Sequence, residues 1–272
     1  MRAIGLVAGN GQFPVLFARA ARAAGLRVVA ALHRGETGGE VQALVEDAAW
    51  VRVGEVGAVI EFFRGHGVRE AVFAGGIDKK RLFREFRPDE TALRILAELP
   101  HRGDDAVLRA VAGAFERAGI RIVDPRGFLG HWLAPWGVLT SRRPAPRERG
   151  DIRLGRRVAR MLGRWDVGQT VVVKDGVVVA LEALEGTDEV VRRAFRLAGP
   201  GCVVVKTSKP GQDLRFDLPA LGRETIEVAR EAGVSAVAVE AGRTLLLDRE
   251  ELLEAAERAA IALVGFGSRG PG

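Results

Sequence analysis

Short apolar runs alternate with amphipathic stretches over roughly the first half of the chain. Residues 3–9 (AIGLVAG) read as a buried strand, 14–25 (PVLFARAARAAG) as a helix closed by glycine, and 26–33 (LRVVAALH) as the next strand. WVRV, EVGAVIEFFRGHG and EAVFAGG keep that rhythm, and DAVLRAVAGAFERAGIRIVD adds a long helix and a further strand. Strands alternating with helices predict a parallel sheet with right-handed crossovers, in a Rossmann-like layered architecture. After Phe128 the rhythm breaks. Residues 130–151 carry Pro135, Pro144 and Pro146 among clustered Arg, the composition of a linker. The stretch 151–164 (DIRLGRRVARMLGR) then predicts an amphipathic helix with Asp151 as its N-cap.

A second unit opens at residue 168. Asp175-Gly176 between two Val-rich runs signals a hairpin. A helix over 189–196, a strand over 202–207 and a helix over 224–232 follow. SAVAVEAGRTLLLD predicts two strands with a tight turn at Ala241-Gly242, before a helix (REELLEAAERAA) and a last strand (IALVGF). The fold class expected is therefore α/β in two domains. An N-terminal Rossmann-like domain spans 1–130, a linker and connecting helix 131–165, and a distinct C-terminal α/β domain 166–272.

Composition changes this picture little. A chain of 272 residues is long enough for two domains that each bury a core. No signal peptide is read at the start, no apolar run nears the ~20 residues of a membrane span, and the single Cys202 suits a reducing cytosol. The isoelectric point near 10.3 invites a nucleic-acid partner. Against it, 41 basic residues face 35 acidic ones, five of the 41 are Lys, and there is no Tyr. Arg is spread over ordinary helix faces and stacking aromatics are scarce, so nucleic acid is discounted.

Glycines punctuate the strand ends. Gly9, Asn10 and Gly11 follow the first strand like the start of a dinucleotide fingerprint, but Pro14 stands where a third glycine would be. Two readings stay open: a tight βα turn, or backbone N–H groups offered to a phosphate at the helix start. AGGID (74–78) is a second glycine-bearing strand end on the same carboxyl edge. Asp104 and Asp105 precede a helix; capping accounts for one of them, and ligand binding is the alternative for the pair.

Glu182, Glu185 and Asp188 surround the strand-to-helix turn EGTD at 185–188. Thr187 or Asp188 would cap the helix, yet the carboxylates exceed what a turn requires. Clustered oxygens beside a helix N-terminus suit Mg²⁺ with a phosphate. The densest chemistry is KTSKPGQDLRFDLPALG (206–222). Gly211 and Pro219 oppose a helix, and an extended reading sends Leu214, Phe216 and Leu218 one way and Asp213, Arg215 and Asp217 the other. Extended, the two Asp lie roughly 13 Å apart, too far to share one ion unless the segment bends. One carboxylate could hold a metal or a water while Arg215 and Lys209 neutralise phosphate oxygens. A solvated edge strand with an Asp–Arg–Asp ladder is the competing account. No GxxxxGK[ST], HExxH or GxSxG occurs, and the four His have no metal-binding spacing, so a catalytic metal would be a hard ion held by carboxylates.

The stretches GLVAGNGQFP, GDDAVLRAVAGAFERAGI, DIRLGRRVARMLGRWDVGQTVVVKDGVVVALEALEGTD, KPGQDLRFDLPALGRETI and VEAGRTLLLDREEL occur in this order. Together they resemble the LpxI-type UDP-2,3-diacylglucosamine pyrophosphatases over nearly the whole chain. The resemblance implies Mg²⁺-dependent (or Mn²⁺-dependent) hydrolysis of UDP-2,3-diacylglucosamine to lipid X and UMP in lipid A biosynthesis, with water attacking the β-phosphorus. It implies catalytic Asp213, Arg215 and Asp217, with Gln212, Lys209, Gly186 and Thr187 on the substrate and a cytoplasmic enzyme. Contact with the inner membrane surface is an expectation, and a homodimer is left open. AGGIDKKRLF departs from the glycine-rich form expected there. The alternatives are hydrolysis of another UDP-sugar or nucleotide diphosphate, and a non-catalytic nucleotide or lipid sensor.

Overall fold

The computed structural model describes residues 1–78, 86–99, 104–216 and 218–267, and the side chains of Asp104 and Asp105 are excluded from that description. It divides into two compact units. One is Met1–Leu129 together with Asp213–Asp217; the other is Gly130–Gln212 with Leu218–Gly272.

The first unit is built on five parallel strands: β1 (Ala3–Ala8), β2 (Arg27–His33), β3 (Asp47–Val51), β4 (Glu70–Ala74) and β5 (Arg121–Ile122). Their order, β3-β2-β1-β4-β5, is the doubly wound arrangement the alternating pattern predicts. Helices α1 (Phe13–Ala23), α2 (Gly39–Gln42), α3 (Val56–Gly65), α4 (Glu90–Glu98) and α5 (Asp104–Arg117) form the connections among the described residues. β1 and β2 are apolar on both faces because both are covered. Val29, Ala31, Ala71 and Phe73 pack with α3, α4 and α5 around Phe63 and Phe115. Phe73 and Phe115 meet edge to face at 5.5 Å, the geometry aromatic pairs prefer.

The second unit holds β6 (Gly137–Val138), β7 (Thr170–Lys174), β8 (Val177–Leu181), β9 (Val203–Lys206), β11 (Ala236–Glu240) and β13 (Ala262–Phe266), in the order β6-β13-β11-β9-β7-β8. β10 (Ala220–Leu221) and β12 (Leu245–Leu246) make a separate parallel pair. The long helix α6 (Pro146–Arg164) covers one face of the larger sheet through Ile152 and Ala159. On the other face lie α7 (Thr187–Ala198), α8 (Arg223–Glu231) and α9 (Arg249–Arg258), with Val190, Ile226 and Leu252 in the main core.

Three local expectations change. Asp151 does not cap a helix: α6 starts five residues earlier at Pro146, and Asp151 is buried. Its carboxylate instead accepts from the N–H groups of Asp175 (3.1 Å) and Gly176 (2.7 Å). Those two residues do form the predicted hairpin turn, both at positive φ (52° and 78°), as a type I′ turn needs. SAVAVEAGRTLLLD gives the two strands expected, β11 and β12, with the turn at Ala241-Gly242, but the two do not pair with each other. The carbonyl of Ala134 accepts from Gly242 N, and Ala134 N donates to Thr244, which diverts the chain so that β11 runs between β9 and β13 while β12 joins β10. The proline-rich stretch contributes β6, paired antiparallel to β13, so residues 131–165 lie within the second unit. Finally, the 213–216 stretch bends rather than running extended, with Phe216 N donating to Asp213 O.

Candidate functional site

At the carboxyl edge of the first sheet, β1 and β4 end side by side. Gly9 N donates to Ala74 O and Asn10 N to Gly76 O, each at 2.8 Å. A Cβ on Gly9 would stand 2.2 Å from the Gly76 carbonyl, so glycine is required for this approach. Gly9→Ala is expected to lower stability by about 1–3 kcal/mol, read as a shifted urea midpoint. The Asn10 amide donates to Glu36 (2.8 Å), whose carboxylate also accepts from Asp78 N. Gly11 has φ +80° and Pro14 sits in the first turn of α1, whose N-cap Gln12 makes no side-chain capping bond.

His33 sits beneath this edge with Nδ1 2.9 Å from Ala8 O, and that carbonyl also accepts from Thr37 (2.6 Å). Burial holds the imidazole below its ordinary value of 6.5, against the raising pull of the Ala8 carbonyl and of Glu36 and Glu55. The unfolded chain therefore takes up this proton more readily than the folded one. The contribution is full above pH 6.5 and declines as pH falls below it. Urea midpoints should drop from pH 7 toward acid, and His33→Gln should flatten that slope.

The opening of the GQDLRFD stretch is a turn. Phe216 N donates to Asp213 O at 3.0 Å, and Leu214 and Phe216 are buried while Asp213 and Arg215 are partly exposed. The alternation read from sequence thus survives on a bent backbone. Asp213 accepts from Arg215 N (3.1 Å), Nε (3.0 Å) and Nη2 (2.7 Å), with Arg109 at 3.7 Å. Arg215 also reaches Glu116 (3.2 Å) and lies over its neighbour Phe216, whose ring is 5.9 Å from Phe73. The Arg215 hydrogen bond holds the Asp213 carboxyl below the usual carboxylate range, overcoming desolvation. Asp213 is therefore a fixed anion that aims a guanidinium. Asp124 clasps Arg126 in the same way (2.9 Å to N, 2.6 Å to Nη2), a second Asp-x-Arg clamp in the same unit. Asp217, and the side chains of Asp104 and Asp105, lie outside the described residues.

The second unit gathers buried polar groups at the carboxyl ends of β9 and β11. Glu182, Lys206 and Glu240 are 7%, 8% and 7% exposed. Thr187 donates to Glu182 at 3.0 Å and accepts from Lys206 Nζ at 3.2 Å, and Lys206 donates to Ala220 O at 2.7 Å. Thr170 stands 3.3 Å from Thr187. Glu240 accepts from both the N–H and the hydroxyl of Ser208 (3.0 and 2.5 Å), and Arg243 approaches Ser208 at 3.3 Å. Thr207 Oγ1, Thr244 Oγ1 and Gln169 Oε1 are buried without a hydrogen-bond partner among the described residues. Buried orphans of this kind are uncommon, and with a buried ammonium at a helix start they suit an anionic, hydroxyl-rich ligand.

The carboxylates at the EGTD turn are not gathered as expected. Thr187 does not cap α7, whose N-cap is Gly186 at φ +86°. Asp188 accepts from Thr225 (2.8 Å), and Glu185 from Arg193 (2.5 Å) and Ala183 N (2.9 Å). Lys209 pairs with Asp166 (2.5 Å), and its N–H donates to Gln212 Oε1 (2.8 Å). Of that turn's candidates the structure joins Glu182 and Thr187, and adds Thr170 and Lys206, which the sequence reading passed over. Lys206, Ser208 and Glu240 each sit at or just past the end of an apolar strand, the signal that would have found them.

Comparison with known proteins covers both units. The LpxI N-terminal domain family matches residues 3–132 and the LpxI C-terminal domain family 135–264. The UDP-2,3-diacylglucosamine pyrophosphatase LpxI of Caulobacter vibrioides is 36% identical over 279 residues, spanning 97% of this chain and 98% of that protein. Among solved structures, gox2253 is 11% identical with a TM-score of 0.36, over 98% of this chain and 70% of its own. The ADP-bound biotin carboxylase domain of a thermophilic 2-oxoglutarate carboxylase is 16% identical with a TM-score of 0.29, over 74% and 34%. Scores this low establish no shared fold.

Proposed function

The chain belongs to the LpxI family, and on that premise we propose that it hydrolyses the pyrophosphate of UDP-2,3-diacylglucosamine, releasing lipid X and UMP on the route to lipid A. The observation that carries this reading is the end-to-end relationship to the Caulobacter pyrophosphatase. Local chemistry supports it. A pyrophosphate concentrates negative charge, and each unit holds a cation in place before any ligand arrives: Arg215 clasped by Asp213, and Lys206 held at the start of α7. Groups fixed in advance need no reorganisation as charge builds on the phosphorus oxygens. Asp213, held ionised by Arg215, suits orientation of that cation better than proton abstraction. The role of orienting or deprotonating the attacking water is proposed for Asp217.

A requirement for Mg²⁺ or Mn²⁺ is part of the proposal. No group of three or more His, Cys, Asp or Glu is placed to hold a metal among the described residues, and Glu182, Glu185 and Asp188 have separate partners. The described side chains therefore do not fit a metal cage. No helix among the described residues is long and apolar enough to cross a membrane. The diacylated substrate is proposed to be met at the inner membrane surface.

The test is release of UMP from UDP-2,3-diacylglucosamine with Mg²⁺ and with EDTA. Magnesium-dependent UMP together with lipid X supports reaction and metal. Equal release in EDTA supports the reaction and removes the metal. Release from UDP-GlcNAc but not from the diacylated compound would replace the substrate, and binding without turnover would leave a sensor.

A further inference from the structure

Helix α6 carries seven Arg and two acidic residues, and both acids are spent inside the protein. Glu148 binds Arg142 (2.6 Å), and Asp151 binds the β7–β8 turn. At 100° per residue, Arg149, Arg153, Arg157, Arg160 and Arg164 fall within an arc of roughly 80°, along about 22 Å of helix. All five are exposed. Arg149 donates to the Pro144 carbonyl, and the other four form no ion pair among the described residues. Arg156 lies beside the stripe over the Phe266 ring, and Arg147 pairs with Asp175.

The stripe ends at apolar groups that the core does not use. Met161, Trp165 and Val167 are 63%, 83% and 44% exposed, and Leu184 is 93% exposed. Leu184 belongs to the same end, because Gly168 lies against the Glu182 carbonyl, where a Cβ would come within 2.1 Å. A row of exposed cations without ion pairs among the described residues, leading into an exposed Trp and Leu, matches a bilayer interface. Anionic headgroups attract Arg at about 1 kcal/mol each, and Trp settles at headgroup level. A nucleic-acid strand would use the cations but give Leu184 and Met161 no role.

We propose that the Arg149–Arg164 stripe of α6, with Trp165 and Leu184 at its end, docks the protein on an anionic lipid bilayer. The same helix end touches the candidate site: Gly163 packs on Lys209 and Pro210, where a Cβ would come within 2.8 Å of Pro210. Docking there brings the KPGQD stretch to the lipid surface. The inference deepens the proposed reaction by naming where its lipid is met, but it is read without turnover.

The experiment uses the full chain in vesicle co-sedimentation, on phosphatidylcholine with and without about a third phosphatidylglycerol. The expected result is binding to the anionic vesicles alone, lost at about 0.5 M salt. The triple variant Arg153→Gln/Arg157→Gln/Arg160→Gln and the pair Trp165→Ser/Leu184→Ser should each weaken it about 10-fold, with unchanged circular dichroism. Wild-type binding by the triple variant, or equal binding to pure phosphatidylcholine, overturns the proposal. So does tight binding of single-stranded RNA by a protein that ignores both vesicles. If vesicles bind as expected and UMP is never released, the docking stands and the reaction falls.

Discussion

Arg215→Met is expected to lower kcat by about 10²–10³-fold, the usual effect of removing one fixed donor aimed at a developing anion. Arg215 is fixed by three contacts: Asp213 at 2.7 Å, Glu116 at 3.2 Å and the Phe216 ring centre 4.9 Å from its guanidinium carbon. Lysine at this position keeps the charge but not the two-pronged bond to Asp213, so Arg215→Lys should recover little. Asp213→Asn weakens the clamp while keeping its shape, and a loss smaller than that of Arg215→Met is expected. If Arg215→Met turns over within threefold of the parent, with thermal unfolding unchanged, the clamp is a device for seating Phe216 and nothing more.

Lys206→Met should reduce activity and stability together. Its ammonium is buried, and Thr187 links it to the buried carboxylate of Glu182. Removing the cation leaves that carboxylate less compensated in a poor solvent for charge, at a cost of about 3 kcal/mol. It also removes a preset positive charge for a substrate oxygen, worth about 10²-fold in kcat. The double variant Glu182→Gln/Lys206→Met separates the two effects. Stability should return toward the parent, because neither member is then ionised, while activity should not. If activity returns with stability, Lys206 serves the fold alone.

Much of the fold was legible because its signals were local or periodic. β1 and Val28–Leu32 of β2 are apolar on both faces, as strands covered on both sides must be, and Asp175-Gly176 is the pair that a type I′ turn selects. Asp151 was misread for a physical reason. A carboxylate that accepts from two adjacent N–H groups serves a helix start and a hairpin turn equally well, and only the long-range approach of α6 to β7 and β8 decides between them. That β11 and β12 join different sheets was hidden for the same reason, since Ala134 redirects the chain from about a hundred residues away. At the candidate site, the GQDLRFD charges stood out because they break an apolar context. Lys206 and Glu240 did not, since a charge closing a Val-rich strand reads as its exit to solvent, whereas here Lys206 reaches Thr187 at the start of α7 and Glu240 is buried on Ser208.

The first unit is not continuous in sequence. Its core includes Phe216, which reaches Phe73 from a stretch some 90 residues beyond the point where Met1–Leu129 ends. No single cut of the chain yields two complete halves. A fragment ending at residue 129 lacks the side chain that packs on Phe73, and the complementary fragment carries Leu214 and Phe216 with no core to enter. Split expression, domain exchange with a relative, or a gene fission at the apparent boundary would each have to carry that short loop along with the first half. The loop thus ties the inheritance of the two halves together more firmly than the peptide linkage at residues 129–130 does.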